Sequence, residues 1–496
     1  MGTVAYKLMV DWDFDDTYTD ETAYLVRATG SWAFVPQESA FNGSSGIVPA
    51  CTFVLSNKSG RFSPLNTGGA LYSDIADGGA YQAPMYLQVN VDGGGFETIF
   101  SGHIKLPAEI SKADGQFPVV TFECRGIEDL YLQRRLKTTQ ADFYDWYVNG
   151  KTESEVIEEL LTELGLTSGD WSLDTGMFII PFAILDDTSI IEACWNLAAA
   201  CGGRFYSTPD GKFRYENMFH WCLSPHTTSQ ETLTTASYEG ILPRYNDKDL
   251  YDKIIVTAHT GYLNVEDEIY SQSKVIVIEP GQTKTLLAKM SSPIYSIASI
   301  TYDAITSGGK DISADITLTA TYYAKKVELE FENANTTKAA EIHNTTITGI
   351  TVTIDDDEQV EATSVDSFWT NREGRTRRIT SNEYINTVDH AQMIADFLLD
   401  RNQIPRLLWT VQNAKGKTSR LLGDRVTIND SSVMSSSRAA IIIGIDWSAD
   451  HNGFNQNLTL FDLEGYYDYL DTTPGYFIIG TNKLGSSGSD IGRLFY

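Results

Sequence analysis

Cysteine is scarce in this 496-residue sequence. The five cysteines, at positions 51, 124, 194, 201 and 222, are an odd number and too few for a disulfide framework in a chain of this length. No CxxC pair occurs, Cys51 falls on the apolar face of a predicted strand, and Cys194 falls within a predicted helix. Buried free thiols are therefore expected.

Basic residues are in the minority. The 37 lysines and arginines stand against 66 aspartates and glutamates, which gives a formal net charge of −29. Tight sequence-independent binding to nucleic acid or to an anionic membrane needs clustered Lys and Arg, so this charge disfavours both. An acidic surface past which DNA moves without binding stays compatible with the composition.

Long apolar runs are missing. None approaches the ~18 to 20 residues that span a bilayer. The opening MGTVAYKLMVDWD lacks the basic region and the apolar segment that mark a signal peptide. We therefore expect a chain that is made and assembled in a reducing cytosol.

Signatures of catalysis are missing too. The sequence has no GxSxG, no HExxH, no phosphate loop and no dinucleotide fingerprint. The single SxxK, Ser271 to Lys274, lacks the other elements that its enzymes require. Of the seven scattered histidines, only His220 lies beside another metal-competent side chain, and a packed histidine is the favoured interpretation. The sequence thus predicts a protein that is not an enzyme, with no catalytic, cofactor-binding or metal-binding residue.

Two charged clusters leave alternatives open. The turn VDWDFDDTYTDE, whose acids run from Asp11 to Glu21, offers Asp16 and Thr22 where an EF-hand needs Gly and Glu. A solvated acidic turn is favoured there over a non-standard cation site, and DDDEQVE at 355–361 is likewise expected to be solvated. NREGRTRR at 371–378 is the one basic cluster, with arginines at 372, 375, 377 and 378. It fits either an acidic neighbouring subunit or a salt-bridged surface turn.

The composition indicates folded β structure. Hydrophobic residues at 42% and charged residues at 21% are globular values, while the 26 Tyr, 22 Phe and 39 Gly favour strands and turns. Roughly 150 residues per domain suggests three or four domains. We therefore predict a multidomain, mainly β fold with a small α/β insertion.

The segment CTFVLSNKSGRFSPLN shows how strands and turns alternate in the first third of the chain. Cys51, Phe53 and Leu55 fall on one face of a strand, and Asn57 to Gly60 is typical of a turn. Pro64 cannot donate to a ladder, so the following segment is predicted to run along a sheet edge.

Three segments have apolar residues at helical spacing and are predicted to be helices. TESEVIEELLTELG combines a capping box, Thr152 with Glu155, and a stop at Gly165. SIIEACWNLAAACGG is a second predicted helix, followed by the hairpin GRFYSTPDGKFRYEN. The third, NTVDHAQMIADFLLDR, places Val388, Ala391, Ala395, Leu398 and Leu399 on one face.

Taken in order, these segments resemble a known family. VDWDFDDTYTDET, TFVLSNKSGRFSPLN and IFSGHI resemble the start of the tail-tip or baseplate-hub proteins (tail hubs, minor tail proteins) of tailed bacteriophages. The module from Glu153 to Tyr215 is similar to the α/β insertion of those hubs, and ELEFENANTTKAAEIHNTTITGITV resembles their extra β-domain. LLGDRVTI and FIIGTNKLGSSG match the closing region, whereas residues 222 to 240 have no familiar pattern.

The resemblance implies a division of the chain into two barrel-like hub domains and three further parts. The implied segments are 1–148, the N-terminal β-barrel hub domain; 149–222, the α/β insertion module; 223–268, the start of the second hub barrel; 269–384, a β-sandwich domain; 385–465, the helix and strands completing the second barrel; and 466–496, a C-terminal arm.

The resemblance also implies an assembly: a homotrimer whose paired barrels form a pseudo-sixfold ring. Such a hub closes the tail tube, adapts sixfold to threefold symmetry and lets DNA pass, without specific binding, during ejection into the host. Its implied partners are a distal tail or tail-tube protein, a tape-measure protein, and tip, fibre or receptor-binding proteins. Its implied place is the tail tip of the virion, after assembly in the bacterial cytoplasm. The alternative is a β-rich carbohydrate-binding or depolymerase tail protein, because aromatics and paired carboxylates can grip and cleave sugars.

Overall fold

A computed structural model describes residues 4–35, 44–46, 48–105, 110–111, 118–451 and 453–463. Strands account for 48% of the structure and helices for 15%, which confirms the mainly β multidomain fold. The predicted C-terminal arm, 466–496, lies outside the described residues. The division into domains stays a prediction.

The first barrel-like unit is an antiparallel sheet in the spatial order β1-β6-β7-β9-β5-β3. Its elements are β1 (Val4–Val10), β2 (Thr19–Asp20), β3 (Leu25–Val35), β4 (Ser44–Gly46), β5 (Ala50–Ser56), α1 (Tyr72–Ile75), β6 (Pro84–Val91), β7 (Glu97–Ile104), β8 (Ile110–Ser111), β9 (Val119–Arg125) and α2 (Glu128–Tyr131). The predicted inward face of β5 is confirmed, since Cys51, Phe53 and Leu55 are buried. Phe53 stacks on Phe122 of β9 with ring centroids 5.1 Å apart. All five cysteines are buried and free, as expected.

The α/β module follows. It comprises β10 (Arg135–Lys137), α3 (Gln140–Asn149), β11 (Lys151–Thr152), α4 (Glu153–Glu163), β12 (Trp171–Leu173), β13 (Ile179–Ile180), β14 (Asp186–Ser189), α5 (Ile190–Ala200), β15 (Arg204–Ser207) and β16 (Phe213–Glu216). The predicted capping box is confirmed, because the Glu155 carboxylate accepts from the backbone N–H of Thr152 at 2.8 Å. Gly165 ends α4 with φ +83°, and the β15–β16 hairpin forms as predicted. Helix α3 had no signal in the helical spacing.

A long ribbon and a sandwich come next. The elements are β17 (Glu231–Thr234), β18 (Gly240–Asn246), β19 (Lys253–Leu263), β20 (Asp267–Gln272), β21 (Ile276–Ile278), β22 (Thr283–Lys289), β23 (Ile294–Ile305), β24 (Ile316–Tyr323), β25 (Lys326–Asn333), β26 (Ala340–Thr363), β27 (Thr376–Ile379) and α6 (Val388–Asn402). β26 pairs with β19, β20 and β21 along one edge and with β23 on the other. The sheet β22-β25-β24 covers it, and Leu329, Phe331 and Ile342 lie in the core between the two sheets.

Four closing strands complete a second barrel-like unit with β17 and β18. They are β28 (Arg406–Lys415), β29 (Arg425–Asn429), β30 (Arg438–Asp450) and β31 (Gly453–Asp462). β30 also pairs with β3 of the first unit, from Arg27 opposite Asp450 to Ala33 opposite Gly444. One hydrophobic core, which includes Phe53 and Ile442, therefore runs through both units.

Two local predictions were wrong. Residues 59–71 form consecutive turns and not an edge strand, because Phe62 is drawn into the core and is 1% exposed. Val388 is 40% exposed, since it is the first residue of α6 and lies short of the face that packs on β19. The acidic run 355–361 lies within β26, and the expected solvation is confirmed, because the side chains of Asp356 and Glu361 are 68% and 57% exposed although they pair with His259 and Lys253.

The seam between the two units depends on a residue without a side chain. A Cβ on Gly30 of β3 would lie 2.3 Å from the Trp447 ring of β30. We expect Gly30→Ala to lower the free energy of unfolding by about 1–3 kcal/mol through overpacking. Urea unfolding followed by Trp fluorescence measures this. Gly94→Ala is the control, because its nearest neighbour is the Val91 carbonyl at 3.4 Å. Equal midpoints for the two variants would contradict the seam.

Candidate functional site

The feature best suited to assembly is the ladder that joins the two units. It runs without a break through ten antiparallel strands in the order β1-β6-β7-β9-β5-β3-β30-β31-β28-β18. Its two ends are different strands, which is the arrangement that head-to-tail association requires. Among the described strands, β18 pairs only with β28, and β1 pairs at its outer edge only through Met9 and Val10 with β2.

The outer end at β18 presents apolar side chains to solvent. Leu242 is 56% exposed and Tyr245 is 71% exposed. Pro243, between them, lacks an N–H and cannot complete a ladder with a further strand. Contacts at this end would therefore be made mainly by side chains.

The other end of the ladder, at β1, is fixed by a buried ion pair to which the loop 57–66 contributes the arginine. Arg61 contacts the Glu21 carboxylate at 2.7 Å, and Glu21 also accepts from Trp12 Nε1 at 3.0 Å. Glu21 is fully buried, whereas Arg61 keeps 19% of its side chain exposed. The arginine therefore neutralises a carboxylate that burial would otherwise leave uncompensated.

The rest of the loop holds Arg61 in place. Gly60 has φ +69°, a conformation that favours glycine, and its carbonyl accepts from the Asn66 amide at 3.0 Å. The Asn57 side chain accepts from the backbone N–H of Phe62 at 3.0 Å. The asparagine, glycine, arginine and aromatic of this stretch together tie the loop to the sheet.

The acidic turn is organised by Asp11. This residue is 2% exposed, and its carboxylate accepts from the backbone N–H groups of Asp15 and Asp16 at 3.3 and 3.1 Å. Carboxylate oxygens of Asp11, Asp13 and Asp15 lie within 4.8 Å of one another, the one such set of three possible ligands among the described residues. Residues 13–20 are all exposed. The geometry explains a hydrogen-bonded turn, and we assign no metal to it.

Removal of the Arg61 charge tests the ion pair. We expect Arg61→Met to lower the free energy of unfolding by about 3 kcal/mol, because Glu21 would remain buried without a counter-charge. Glu21→Gln combined with Arg61→Met should recover part of that loss. Urea unfolding measures all variants, with the exposed Arg134→Met as control. An Arg61→Met loss no larger than that of the control would contradict the ion pair's role.

A second buried carboxylate joins the first unit to the α/β module. Glu128 accepts from the backbone N–H and the hydroxyl of Ser207 at 2.8 and 2.6 Å, and Trp32 Nε1 donates to the Ser207 carbonyl at 3.0 Å. Burial raises the pKa of Glu128 from its ordinary 4.5 to about 7, although the Ser207 hydrogen bonds oppose the shift. The folded chain thus holds this proton more tightly than the unfolded chain.

The raised pKa of Glu128 predicts the direction in which stability changes with pH. Because the folded-state pKa lies above the unfolded one, the stability from this group is present below about pH 4.5 and is lost as the pH rises through about 7. We expect the free energy of unfolding to fall by roughly 3 kcal/mol from this group between those limits. Urea unfolding at several pH values should show a flatter profile for Glu128→Gln than for wild type. The exposed Glu123→Gln should keep the wild-type slope, and identical slopes for all three proteins would contradict the assignment.

His220 is packed, as predicted. Its Nδ1 lies 2.7 Å from Asp174 and its Nε2 lies 3.2 Å from His226 Nε2. Arg214 Nη2 approaches the same Nε2 at 3.1 Å, which places a cation where a metal ion would have to sit. Burial and the neighbouring His220 lower the pKa of His226 to about 4. The cluster joins the α/β module to the second unit through side-chain hydrogen bonds.

The basic cluster at 371–378 is held by carbonyls and rings. Arg372 donates to the Phe368 carbonyl and lies 3.9 Å from that ring. Arg375 donates to the carbonyls of Asp247 and Lys248. Within the described residues, no carboxylate lies within 4 Å of the arginines at 372, 375, 377 and 378. Of the two interpretations, the salt-bridged turn is therefore not supported.

Known proteins match this chain in structure but not in sequence. No family model and no curated protein matches the sequence. The tail protein from Neisseria meningitidis MC58 matches with a TM-score of 0.50 over 93% of this chain and 97% of its own, at 10% identity. The chain has the fold of this tail protein. The predicted resemblance to tail-tip or baseplate-hub proteins is confirmed at the level of the fold.

Two further structures match with lower scores. The 43 kDa tail protein of prophage MuSo2 from Shewanella oneidensis covers 92% of this chain and 97% of its own, with a TM-score of 0.46 at 11% identity. An Escherichia coli component of the type VI secretion system, itself similar in structure to T4 bacteriophage tail proteins, matches 88% of this chain and 73% of its own length. The TM-score of that match is 0.38, at 8% identity. We base the fold assignment on the Neisseria tail protein alone. In the described part of the chain, no helix is both long and apolar enough to cross a bilayer.

Proposed function

We propose that this chain is a non-enzymatic structural protein of the virion that forms the trimeric tail-tip or baseplate hub. The hub closes the tail tube, adapts its sixfold symmetry to threefold parts and lets DNA pass during ejection. The observation that carries the proposal is the match to the Neisseria tail protein over 97% of that chain. The ten-strand ladder supports it, because two barrel-like units on one sheet are what three copies need in order to imitate six.

The proposal includes the predicted division of the chain. Residues 1–148 and the pair 223–268 with 385–465 are the two hub barrels, 149–222 is the insertion and 269–384 is the sandwich. Pairing of β18 with β28 supports the split second barrel, since 160 or so residues of ribbon, sandwich and helix separate strands that lie side by side. The arm 466–496 reaches a partner.

Charge supports passage of DNA without binding. Three copies carry 3 × −29 = −87 formal charges. A channel lining that shares this bias repels a duplex and leaves it free to move. The proposed partners are the distal tail or tail-tube protein above, the tape-measure protein within, and tip, fibre or receptor-binding proteins below.

Oligomeric mass tests the proposal. We expect light scattering of the purified chain to give 3 × 55.0 = 165 kDa, and averaged electron micrographs to show a ring with six similar lobes around a hollow axis. Leu242→Ser with Tyr245→Ser should weaken the trimer, because both side chains lie at an open end of the ladder, whereas Leu65→Ser, 86% exposed in a turn, should not. A dimer, or a monomer that persists to about 100 µM, would contradict the trimer.

A further inference from the structure

The two open ends of the ten-strand ladder carry opposite charge. At the β1 end, the exposed residues 13–20 include four aspartates and the aromatic Phe14, which is 52% exposed. At the β18 end, three exposed arginines follow within eight residues of sequence: Arg372, Arg375 and Arg378. In a chain with 66 acidic and 37 basic residues, such an arginine cluster is an exception that calls for a counter-charge.

The arginine cluster is continuous with the open strand. Arg375 donates to the carbonyls of Asp247 and Lys248, the two residues that directly follow Asn246 at the end of β18. Tyr251 lies beneath the guanidinium groups of Arg375 and Arg377 at 5.7 and 5.8 Å. These contacts hold the arginines in place at the end of the strand that carries the exposed Leu242 and Tyr245, which lowers the entropic cost of binding through them.

We propose that Arg372, Arg375 and Arg378 of one copy bind the acidic turn 13–20 of a second copy, so that the β18 end of each subunit meets the β1 end of the next. The proposal rests on the proposed trimer and names the contact that closes it. Arginine and carboxylate supply charge-assisted hydrogen bonds, and Phe14 supplies an apolar surface for Leu242 and Tyr245.

Three observations favour a second copy of this chain as the partner of the arginines. The ends are different patches, so the contact is head-to-tail and can close into a ring. Pro243 prevents a complete ladder across the joint, which leaves recognition to side chains. Asp247 and Glu373 lie near the arginines in sequence, but within the described residues neither forms an ion pair with Arg372, Arg375 or Arg378, so these three cations have no carboxylate partner in their own chain.

A nucleic-acid strand fits the cluster less well. Stacking on bases needs free aromatic faces, but Arg372 covers the Phe368 ring at 3.9 Å and two arginines lie over Tyr251. An acidic protein surface needs only the guanidinium edges, which remain exposed. The net charge of −29 on every copy points the same way, since it repels a phosphate backbone.

Charge reversal tests the contact. Arg372→Glu with Arg378→Glu places acid against acid, and Asp13→Lys with Asp16→Asn removes most of the negative charge that the arginines would bind, because only Asp15 and Asp20 remain acidic in the turn. We expect each double variant to raise the dissociation constant of the trimer about tenfold or more in sedimentation equilibrium at low salt, and the fourfold variant to recover part of that loss relative to Arg372→Glu with Arg378→Glu, because Lys at position 13 can pair with the new glutamates. Asp16→Asn retains a residue that tolerates the φ of +65° at this position, and thermal melting confirms that each variant folds.

The controls separate this contact from the trimer itself. Lys284→Glu with Lys310→Glu makes the same charge change on the exposed sandwich and should leave the dissociation constant unchanged. The docking is overturned, and the proposed function stands, if both double variants keep the wild-type dissociation constant or if the fourfold variant recovers none of the lost affinity. A wild-type monomer contradicts both. Binding of single-stranded DNA that wild type shows and Arg372→Glu with Arg378→Glu loses, at unchanged trimer mass, overturns the docking in favour of a nucleic-acid site.

Discussion

The pairing of β3 with β30 is the contact on which the rest of the molecule depends. It joins strands separated by more than 400 residues of sequence, and it turns two sheets into one ladder over a common core. The close approach is possible because Gly30 leaves room for the ring of Trp447. Without this seam the two barrel-like units would be separate bodies, and the ends of the ladder would not be fixed relative to each other.

Buried charge fixes the parts that surround the seam. Glu21 with Arg61 holds the acidic turn against the first unit, and Glu128 with Ser207 holds the α/β module against the same sheet. Each removes a carboxylate from water, so each is stable only while its partner is in place. Such contacts set the geometry of loops that apolar packing alone would leave free to shift. The desolvation cost of burying these carboxylates is consistent with a protein whose function depends on where the edges of its sheet lie.

Those edges connect the fold to the proposed assembly. A sheet that closed on itself would have no ends to offer, whereas this one leaves β1 and β18 available at opposite ends. Acidic residues at one end and arginines at the other give the two ends different chemistry. Head-to-tail contact between unlike ends forms a ring when the rotation between neighbouring subunits closes, and the proposed hub is such a ring.

Local patterns in the sequence were sufficient for the elements that local chemistry determines. The alternation in CTFVLS, the capping box of Thr152 and Glu155 and the Pro-Asp-Gly hairpin are short-range effects, and each formed as predicted. The family likeness came from the order of such segments, and the fold confirmed it. The packing of residues 57–66 depends on residues that are distant in sequence. Their turn chemistry was readable, but the burial of Phe62 and the role of Arg61 depend on Glu21, which lies 40 residues away. The seam between β3 and β30 had no sequence signal for the same reason. The arginine cluster at 371–378 was visible in the sequence, but whether its arginines pair within the chain depends on which distant residues become their neighbours, and only the tertiary structure decides that.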